Sequence, residues 1–538
     1  MLTLIPLFLA TLTATPEADM WALAQKNADV LRMSTLFTAQ QVPQHLGDEE
    51  GIARAIEWCK EHGITHVYIE SFRGESVPPR ETLARARDRF REAGFLVSGC
   101  ITPAHYGKHS TGWDAFSCYT SPQTQQMLKE MSAYAAGIFD EIMIDDFLAT
   151  DCACDECRRA RGDRSWAEFR TDLMLELSRT HIIGAGRAVN PNSRFIIKYP
   201  CWHEAFQDRG YDVARQSELF PHTWVGTETR GTSERGAAEP QYRAYWLMRW
   251  LLGIGGEKCG GGWHDSIQTD PIYYVEQGRQ TVLGGAPEVF LFNFGALYGG
   301  ERYDRGLGPR DVAALMEEQP QHFELARLIH GKRPRGLLGW KPANSAPGAD
   351  ANLHPLLGMA GLPVTAAHEF DAAADGFVFG CHVLKDAGWR TALGQAVQKD
   401  SPVLVTTGFL DAIAGEVGAD DVAALRERAL VVPSPSDRNR YAELASLPEA
   451  ELNALRDRAL QPMGVTFNAP YGVGLYLFDD DVAVIESFRD EPVTCTLRID
   501  GWPGFERVLE MPTGAGVKVD AGVVTLPPHS LVALRRRN

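Results

Sequence analysis

The stretch EEGIARAIEWCKEHGITHVYIES, residues 49–71, decides how the first part of this chain is read. Its first fifteen residues are amphipathic, with Ile52, Ala55, Ile56 and Cys59 at helical spacing, and Gly63 closes the run. A strand-like segment, ITHVYIES, follows at once. On the N-terminal side, LRMSTLFTA (31–39) reads as another strand. On the C-terminal side, PPRETLARARDRFREAGF (78–95) and LVSGCITPA (96–104) repeat the helix–strand unit. The same unit recurs in residues 121–147, 165–202, 211–230, 241–266 and 271–295, and PRDVAALMEEQPQHFELARLIHG (309–331) supplies a closing helix. Eight strands alternating with eight helices in about 300 residues predict a (β/α)8 TIM barrel over residues 21–334. An open doubly wound sheet is the alternative, but the Gly-rich phosphate turn it often carries after the first strand is absent.

Beyond residue 334 the texture changes. Residues 335–460 read as a small α/β domain of the flavodoxin or glutamine-amidotransferase type, and 461–538 as a C-terminal β-sandwich of short alternating runs such as GLYLFDDDVAVIESF. The chain has 538 residues, more than one core accommodates. Its formal net charge of −17 argues against nucleic acid as partner, since phosphate binding needs a basic face. Residues 1–20 hold an apolar run, Leu2 to Leu12, followed by small residues near Ala14, which predicts a signal peptide and export to the periplasm or beyond the cell. No Lys or Arg precedes Lys26, so a frayed extension on a cytoplasmic protein is the alternative. Nothing else approaches the ~18 apolar residues of a membrane span.

In a barrel of this kind chemistry gathers at the C-terminal ends of the strands. Those ends carry Glu70 and Arg73 after strand two, His105 and Tyr106 after strand three, and Asp145 and Asp146 at strand four. Strand five brings Lys198, Tyr199, Trp202 and His203, and strand six Glu228 and Arg230. Strand seven brings Trp263, His264 and Asp265, and strand eight Asn293. Aromatic faces stack on sugar rings, charged groups bond hydroxyls, and an opposed carboxylate pair cleaves glycosidic bonds. Glu228 is the strongest single candidate, because Glu is a poor helix N-cap and the Thr residues of GTETR serve that role better. A structural ion pair with Arg230 or Lys198 is its competing role.

Of the ten cysteines, only Cys152, Cys154 and Cys157 cluster, as C-x-C-x-x-C six residues after the Asp pair. Thiolates on a tight turn hold zinc tetrahedrally, and a closed structural site needs a fourth ligand, for which Cys118 is the best candidate. A disulfide is the alternative in an exported chain. CYTSPQTQQMLKEMSAY (118–134), a strand, and then CACDECRRARGDRSWAEFR (152–170) resemble the barrel of glycoside hydrolase family 42 β-galactosidases. The resemblance implies structural zinc on Cys118, Cys152, Cys154 and Cys157, no organic cofactor, and a homo-oligomer, trimer or dimer, built through the small α/β domain. It does not extend to the catalytic acids: that family's Asn-Glu pair is replaced here by Asp145–Asp146, and the strand-seven Glu is missing from CGGGWHDS. An Asp at strand four facing an acid at strand six instead looks like α-galactosidase-type retaining barrels, in which the Asp is the nucleophile.

These readings predict a glycoside hydrolase acting on an oligo- or polysaccharide, with Asp145 or Asp146 as nucleophile and Glu228 as general acid/base. Lys198 and Arg230 would anchor hydroxyls or tune the acids, and Trp202 and Trp263 would stack the sugar. The missing family glutamates motivate the alternative of a carbohydrate-binding barrel without catalysis.

Overall fold

The computed structural model describes residues 19–231, 239–267, 269–299, 315–399, 401–435 and 441–537. The expected signal segment, apart from its last two residues, and the first six residues of the closing helix lie outside them. Eight parallel strands close into a barrel in chain order: β1 (Arg32–Phe37), β2 (His66–Arg73), β3 (Leu96–Thr102), β4 (Glu141–Ile144), β5 (Arg194–Tyr199), β6 (His222–Gly226), β7 (Cys259–Asp265) and β8 (Glu288–Phe292). β8 pairs back onto β1 through Arg32↔Glu288 to Thr35↔Leu291, which closes the ring and leaves no barrel edge.

Side-chain alternation along each strand builds two environments. One parity faces the axis, where Leu36, Tyr68, Cys100, Met143, Ile196, Trp224, Trp263, Phe290 and Phe292 form a separate apolar layer. The other parity packs beneath the helices. The helix Glu49–Glu61 buries Ile52, Ala55 and Cys59, and the Asp48 side chain caps it by accepting from the Gly51 N–H at 2.8 Å. Such a cap is worth about 0.5–2 kcal/mol. Ser165 and Glu168 form a reciprocal capping box that starts the helix Trp166–Leu177.

Two further layers follow. Leu337–Trp340, Val364–Ala367, Phe377–Phe379, Val403–Thr406 and Leu430–Val432 form a parallel sheet in the spatial order second, first, third, fourth, fifth. That is the flavodoxin-like order. The remaining strands make a four-stranded and a five-stranded antiparallel sheet. Pro334–Arg335 pairs with Val473–Phe478 in the latter, so the chain leaving the barrel touches the last sheet before it enters the parallel one. Barrel and final sheets share a core, because Tyr242 stacks on Tyr476 at 5.0 Å and Gln280 donates to the Tyr476 hydroxyl at 2.7 Å. No described helix is long and apolar enough to cross a membrane.

Candidate active site and metal centre

Continuing the axis-facing parity past the apolar layer brings Glu70, Thr102, Asp145, Lys198, Glu228 and Asp265 to the C-terminal rim. Lys198 is the hub. It is 1% exposed, and its Nζ lies 2.8 Å from Asp146 Oδ2, 3.1 Å from Glu228 Oε1 and 3.4 Å from Asp145 Oδ1. The ammonium also sits 4.0 Å above the Trp263 ring centroid. Burial alone would discharge it, but the Asp146, Glu228 and Asp145 carboxylates overcome that and hold it firmly protonated.

The three acids differ in environment. Asp145 is buried with both oxygens engaged: Oδ2 accepts from Arg73 Nη2 at 3.0 Å and Thr102 Oγ1 at 3.1 Å, and Oδ1 accepts from the Asp146 N–H at 2.9 Å and from Lys198. Burial pushes its carboxyl up, but Lys198, Arg73 and the hydrogen bonds outweigh this and leave it below the usual range. Asp146 is more open, and of its oxygens only Oδ2 has a hydrogen-bond partner among the described residues. Burial raises its pKa, opposed by Lys198 and reinforced by Asp145. Glu228 is 1% exposed, and its Oε2 meets no hydrogen-bond partner among the described residues. Burial, opposed by Lys198 but helped by Asp265 and Asp146, pushes its pKa up to about 7. Gly226 makes room for this carboxyl, because a Cβ there would meet Glu228 Oε2 at 2.5 Å and the Cys201 nitrogen at 2.8 Å. Arg243 fixes the backbone by donating to the Glu228 carbonyl at 2.6 Å while pairing with Glu239.

Of the other expected site residues, several join this ring. Glu70 accepts from Arg73 Nε at 2.8 Å, from the Ala39 N–H at 2.7 Å and from Thr102 Oγ1. Arg230 pairs with Asp265 at 2.8 Å rather than with Glu228, whose partner is Lys198. Asn293 lies at the β8–β1 rim, accepting from Gln41 Nε2 at 2.6 Å. Others do not join it. Tyr199 and His264 have the opposite parity: Tyr199 bonds Ser217 at 3.1 Å, and His264 packs on Tyr274 behind the barrel. Tyr106 is buried under its own loop between Phe72 and Tyr119, and His105 is exposed beyond it. His203 turns toward the parallel sheet, where its Nε2 lies 3.2 Å from Glu204 and its ring 5.2 Å from Trp246. Trp263 is 2% exposed and stacks on Phe290 at 4.1 Å, so it floors the ring as the top of the barrel core rather than offering an open face. Trp202 is half-buried under Arg209 at 4.6 Å.

Sequence reading missed two participants. Thr102 bridges Glu70 and Asp145, and its position two residues beyond the axis-facing Cys100 was the available signal. Arg243 acts from a helix N-terminus, where no local pattern marks it.

Beside the acids, Cys118, Cys152, Cys154 and Cys157 bring their sulfurs within 4.8 Å of one another. Cys118 Sγ lies 3.7 Å from Cys154 and 3.6 Å from Cys157, far beyond a disulfide bond. A tetrahedron with ~2.3 Å metal–sulfur bonds has edges of about 3.8 Å, close to the two Cys118 edges, so the donor set fits a metal ion. The hydrogen bond between Cys118 and Cys157 draws the Cys118 thiol down and pushes the Cys157 thiol up, so the two share one proton between them.

Fold and rim together define a barrel that carries its functional groups on its strand ends. Residues 18–309, more than half of the chain, match the family described as "Probable glycosyl hydrolase, catalytic domain", and the chain belongs to that family. It thus carries a glycosyl hydrolase catalytic domain. An uncharacterized protein of Saccharolobus solfataricus is 26% identical over 294 residues, which cover 47% of each chain, so this chain spans about half the length of that relative. Among solved structures it is similar to the exo-β-1,4-mannosidase Op5Man5 of Opitutaceae bacterium strain TAV5, at 11% identity over 93% of this chain and 91% of that one, with a TM-score of 0.43. It is also similar to a GH5_18 protein of Bifidobacterium longum subsp. longum in complex with Manβ1-4GlcNAc, at 12% identity over 68% and 94%, with a TM-score of 0.41. The likeness to family 42 rests on the cysteine loop and the domain order alone.

Proposed function

We propose that this protein is a retaining glycosidase of oligo- or polysaccharides in which Asp146 attacks the anomeric carbon and Glu228 serves as acid, then base. The observation that carries this reading is the pair of carboxyls, Asp146 and Glu228, that share one buried lysine. Glu228, pushed up to about 7, keeps a proton near neutrality for the leaving oxygen, with Oε2 free to present it. Asp146 pairs with Lys198 at 2.8 Å, which opposes the upward push of burial and of Asp145 on its carboxyl, and its Oδ1 meets no hydrogen-bond partner among the described residues. Both acids touch Lys198 Nζ, so their nearest oxygens are no farther apart than the sum of 2.8 and 3.1 Å. That bounds only the lysine-facing oxygens; retaining sites hold their two carboxyls ~5–5.5 Å apart and inverting sites ~6.5–9.5 Å, so the configuration of the first product is what tests retention. Asp145, saturated with donors, positions Lys198 and Arg73 instead of reacting.

The reaction then balances simply. Asp146 forms an ester to the anomeric carbon as the glycosidic C–O bond breaks and Glu228 protonates the departing oxygen. Water, deprotonated by Glu228, displaces Asp146 in the second step and restores both groups.

The test is a panel of activated aryl glycosides and unactivated oligosaccharides. Glu228→Gln should lower kcat/KM on unactivated substrates by roughly 10²–10⁴-fold while aryl glycosides stay partly cleavable and respond to azide. Asp146→Asn should abolish turnover on both, and Asp145→Asn should leave measurable turnover. Wild-type rates in all three variants would refute the assignment and move attention to Glu70 and Asp265. Saccharide binding without turnover of any substrate by the parent protein would favour the non-catalytic reading.

The cysteine site is read as structural zinc, because four sulfur ligands close a tetrahedron and leave no position for water. The same reading includes export, resting on the apolar run before Ala14 and checked by N-terminal sequencing of the mature protein. It also includes a homo-oligomer, for which an apolar groove of about 400 Å³ between Trp389, Leu393, Val397 and Ile413 offers a surface. Light scattering near the 59.4 kDa of one chain would count against the oligomer.

A further inference from the structure

Trp113 stands out from the surface, 51% exposed, although an indole gains most by being covered. Its setting is rigid. The Trp113 N–H donates to Asp151 Oδ2 at 2.9 Å, and Ser110 Oγ donates to Asp151 Oδ1 at 2.5 Å. Thr111 Oγ1 accepts from the Ala153 N–H at 2.8 Å and reaches Cys152 Sγ at 3.8 Å. Gly112 packs so closely on the Asp151 carboxylate that no Cβ fits. Residues 110–113, on the loop after β3, are therefore pinned to residues 151–153, which lie within the four-cysteine loop after β4.

The ring itself leads inward. Trp113 packs 4.8 Å from Phe116 and 5.7 Å from Phe147, the residue that follows Asp146 in the chain. Phe116 continues the aromatic row to Trp202 at 6.4 Å, with Arg209 lying over both rings. An aromatic row thus runs inward from exposed Trp113 to Phe147, the neighbour of Asp146 in the chain, and through Phe116 to Trp202. Its outermost face is an uncovered indole with no charge to satisfy, which suits the apolar face of a neutral pyranose.

We propose that Trp113, backed by Phe116 and Phe147, is a second sugar subsite that stacks a ring of the same saccharide outside the one held at Asp146 and Glu228, and that the cysteine-held metal positions it. The inference rests on the glycosidase reading and extends it. The substrate is a saccharide of several units, because a monosaccharide would leave the row unused, and the metal has a part in substrate length selection without touching substrate.

The experiment uses full-length, zinc-loaded protein carrying Glu228→Gln, titrated calorimetrically with α-1,4- and β-1,4-glucohexaose, β-1,4-mannohexaose and their monosaccharides. Added Trp113→Ala should weaken the best hexasaccharide at least tenfold and change monosaccharide affinity less than threefold, and Trp113→Phe should recover most of the loss. Removing zinc with a chelator should reproduce the Trp113→Ala loss and add nothing to it in the Trp113→Ala protein. An unchanged hexasaccharide affinity in Trp113→Ala, or equal losses for hexasaccharide and monosaccharide, would overturn the subsite while leaving the acids' roles intact. A chelator effect that adds fully to Trp113→Ala would overturn the metal's part. If the parent protein binds none of the sugars, the glycosidase reading falls and the subsite falls with it.

Discussion

At the scale of single residues, Lys198 decides the behaviour of the rim. One buried cation faces three carboxylates, so removing it strands buried negative charge, which typically costs about 3–5 kcal/mol. Lys198→Met should accordingly lower the unfolding midpoint. It should also move the basic limb of the pH profile upward, because the lysine is what holds the Glu228 pKa down against burial. In the parent protein kcat/KM should fall as pH rises through about 7, where Glu228 loses the proton it must donate. Linkage gives the same group a second signature. Its folded pKa is raised from 4.5 to about 7, so the folded state binds the extra proton between those values. Stability from this group is full below about 4.5 and is lost as pH rises through about 7. Thermal melts across that window should show the slope in the parent and lose it in Glu228→Gln. Both Lys198 and Glu228 are legible in the sequence as charged residues ending strands. The sequence left Glu228 a pairing with either Arg230 or Lys198, and the sheet that sets β5 beside β6 selects Lys198.

At the scale of elements, two loops rather than one build the site's flank. The segment after β3 and the segment after β4 are joined by the cysteines and by Asp151. Purified protein should therefore hold about one zinc per chain, and Cys154→Ser should lower both metal content and melting temperature. Elemental analysis without zinc, together with a 152–157 or 154–157 disulfide by mass spectrometry, would contradict this. Limited proteolysis of the metal-depleted protein should cut first within 105–118 or 147–157. The element end at Gly226 makes a separate point: Gly226→Ala drives a methyl into Glu228 Oε2 and into the β5 loop at Cys201. It should lose activity by displacing Glu228 even where the barrel still forms, seen as a near-native circular dichroism spectrum with kcat reduced by at least tenfold, which is about 1.4 kcal/mol of transition-state stabilisation. The C-x-C-x-x-C motif and the helix–strand alternation were visible because they are local. Trp113 was not, because an exposed aromatic in a loop carries no periodic mark.

At the scale of the whole molecule, the barrel is finished by the C-terminal sheets. The helix Pro271–Leu283 is buried continuously from Tyr274 to Leu283, which a peripheral barrel helix facing water could not be. Within it Arg279 is fully buried: it pairs with Glu318 through Nε at 2.9 Å and Nη2 at 2.5 Å, and donates to the backbone carbonyls of His529 at 2.7 Å and Thr513 at 2.9 Å. Arg279→Met leaves Glu318 and Glu486 unpaired in the interior and should cost about 3–5 kcal/mol, read as a shift of the denaturation midpoint. Deleting the chain from residue 463 onward should give insoluble protein, because it uncovers the Tyr242 and Tyr245 rings that pack on Tyr476 and strips buried Glu276, Arg279 and Gln280 of their partners. A soluble, folded truncation would show that the barrel is independent of the sheets.

The amino-acid sequence by itself determined the βα alternation, the layer order along the chain, the Cys152, Cys154 and Cys157 cluster and most of the charged rim, because each is written in local periodicity or spacing. The tertiary structure decided what alternation cannot specify across strands: that Asp145, Asp146 and Glu228 converge on Lys198, that Asp265 takes Arg230, and that Tyr199, His203 and His264 face away from the axis. It also turned Trp263 from an open platform into the floor of the site and left Trp113 exposed against Phe116 and Phe147. The physical reason is that closure of the barrel sets which strand ends are neighbours, and the balance of burial against nearby cations in that ring shifts Asp145 down and Asp146 and Glu228 up.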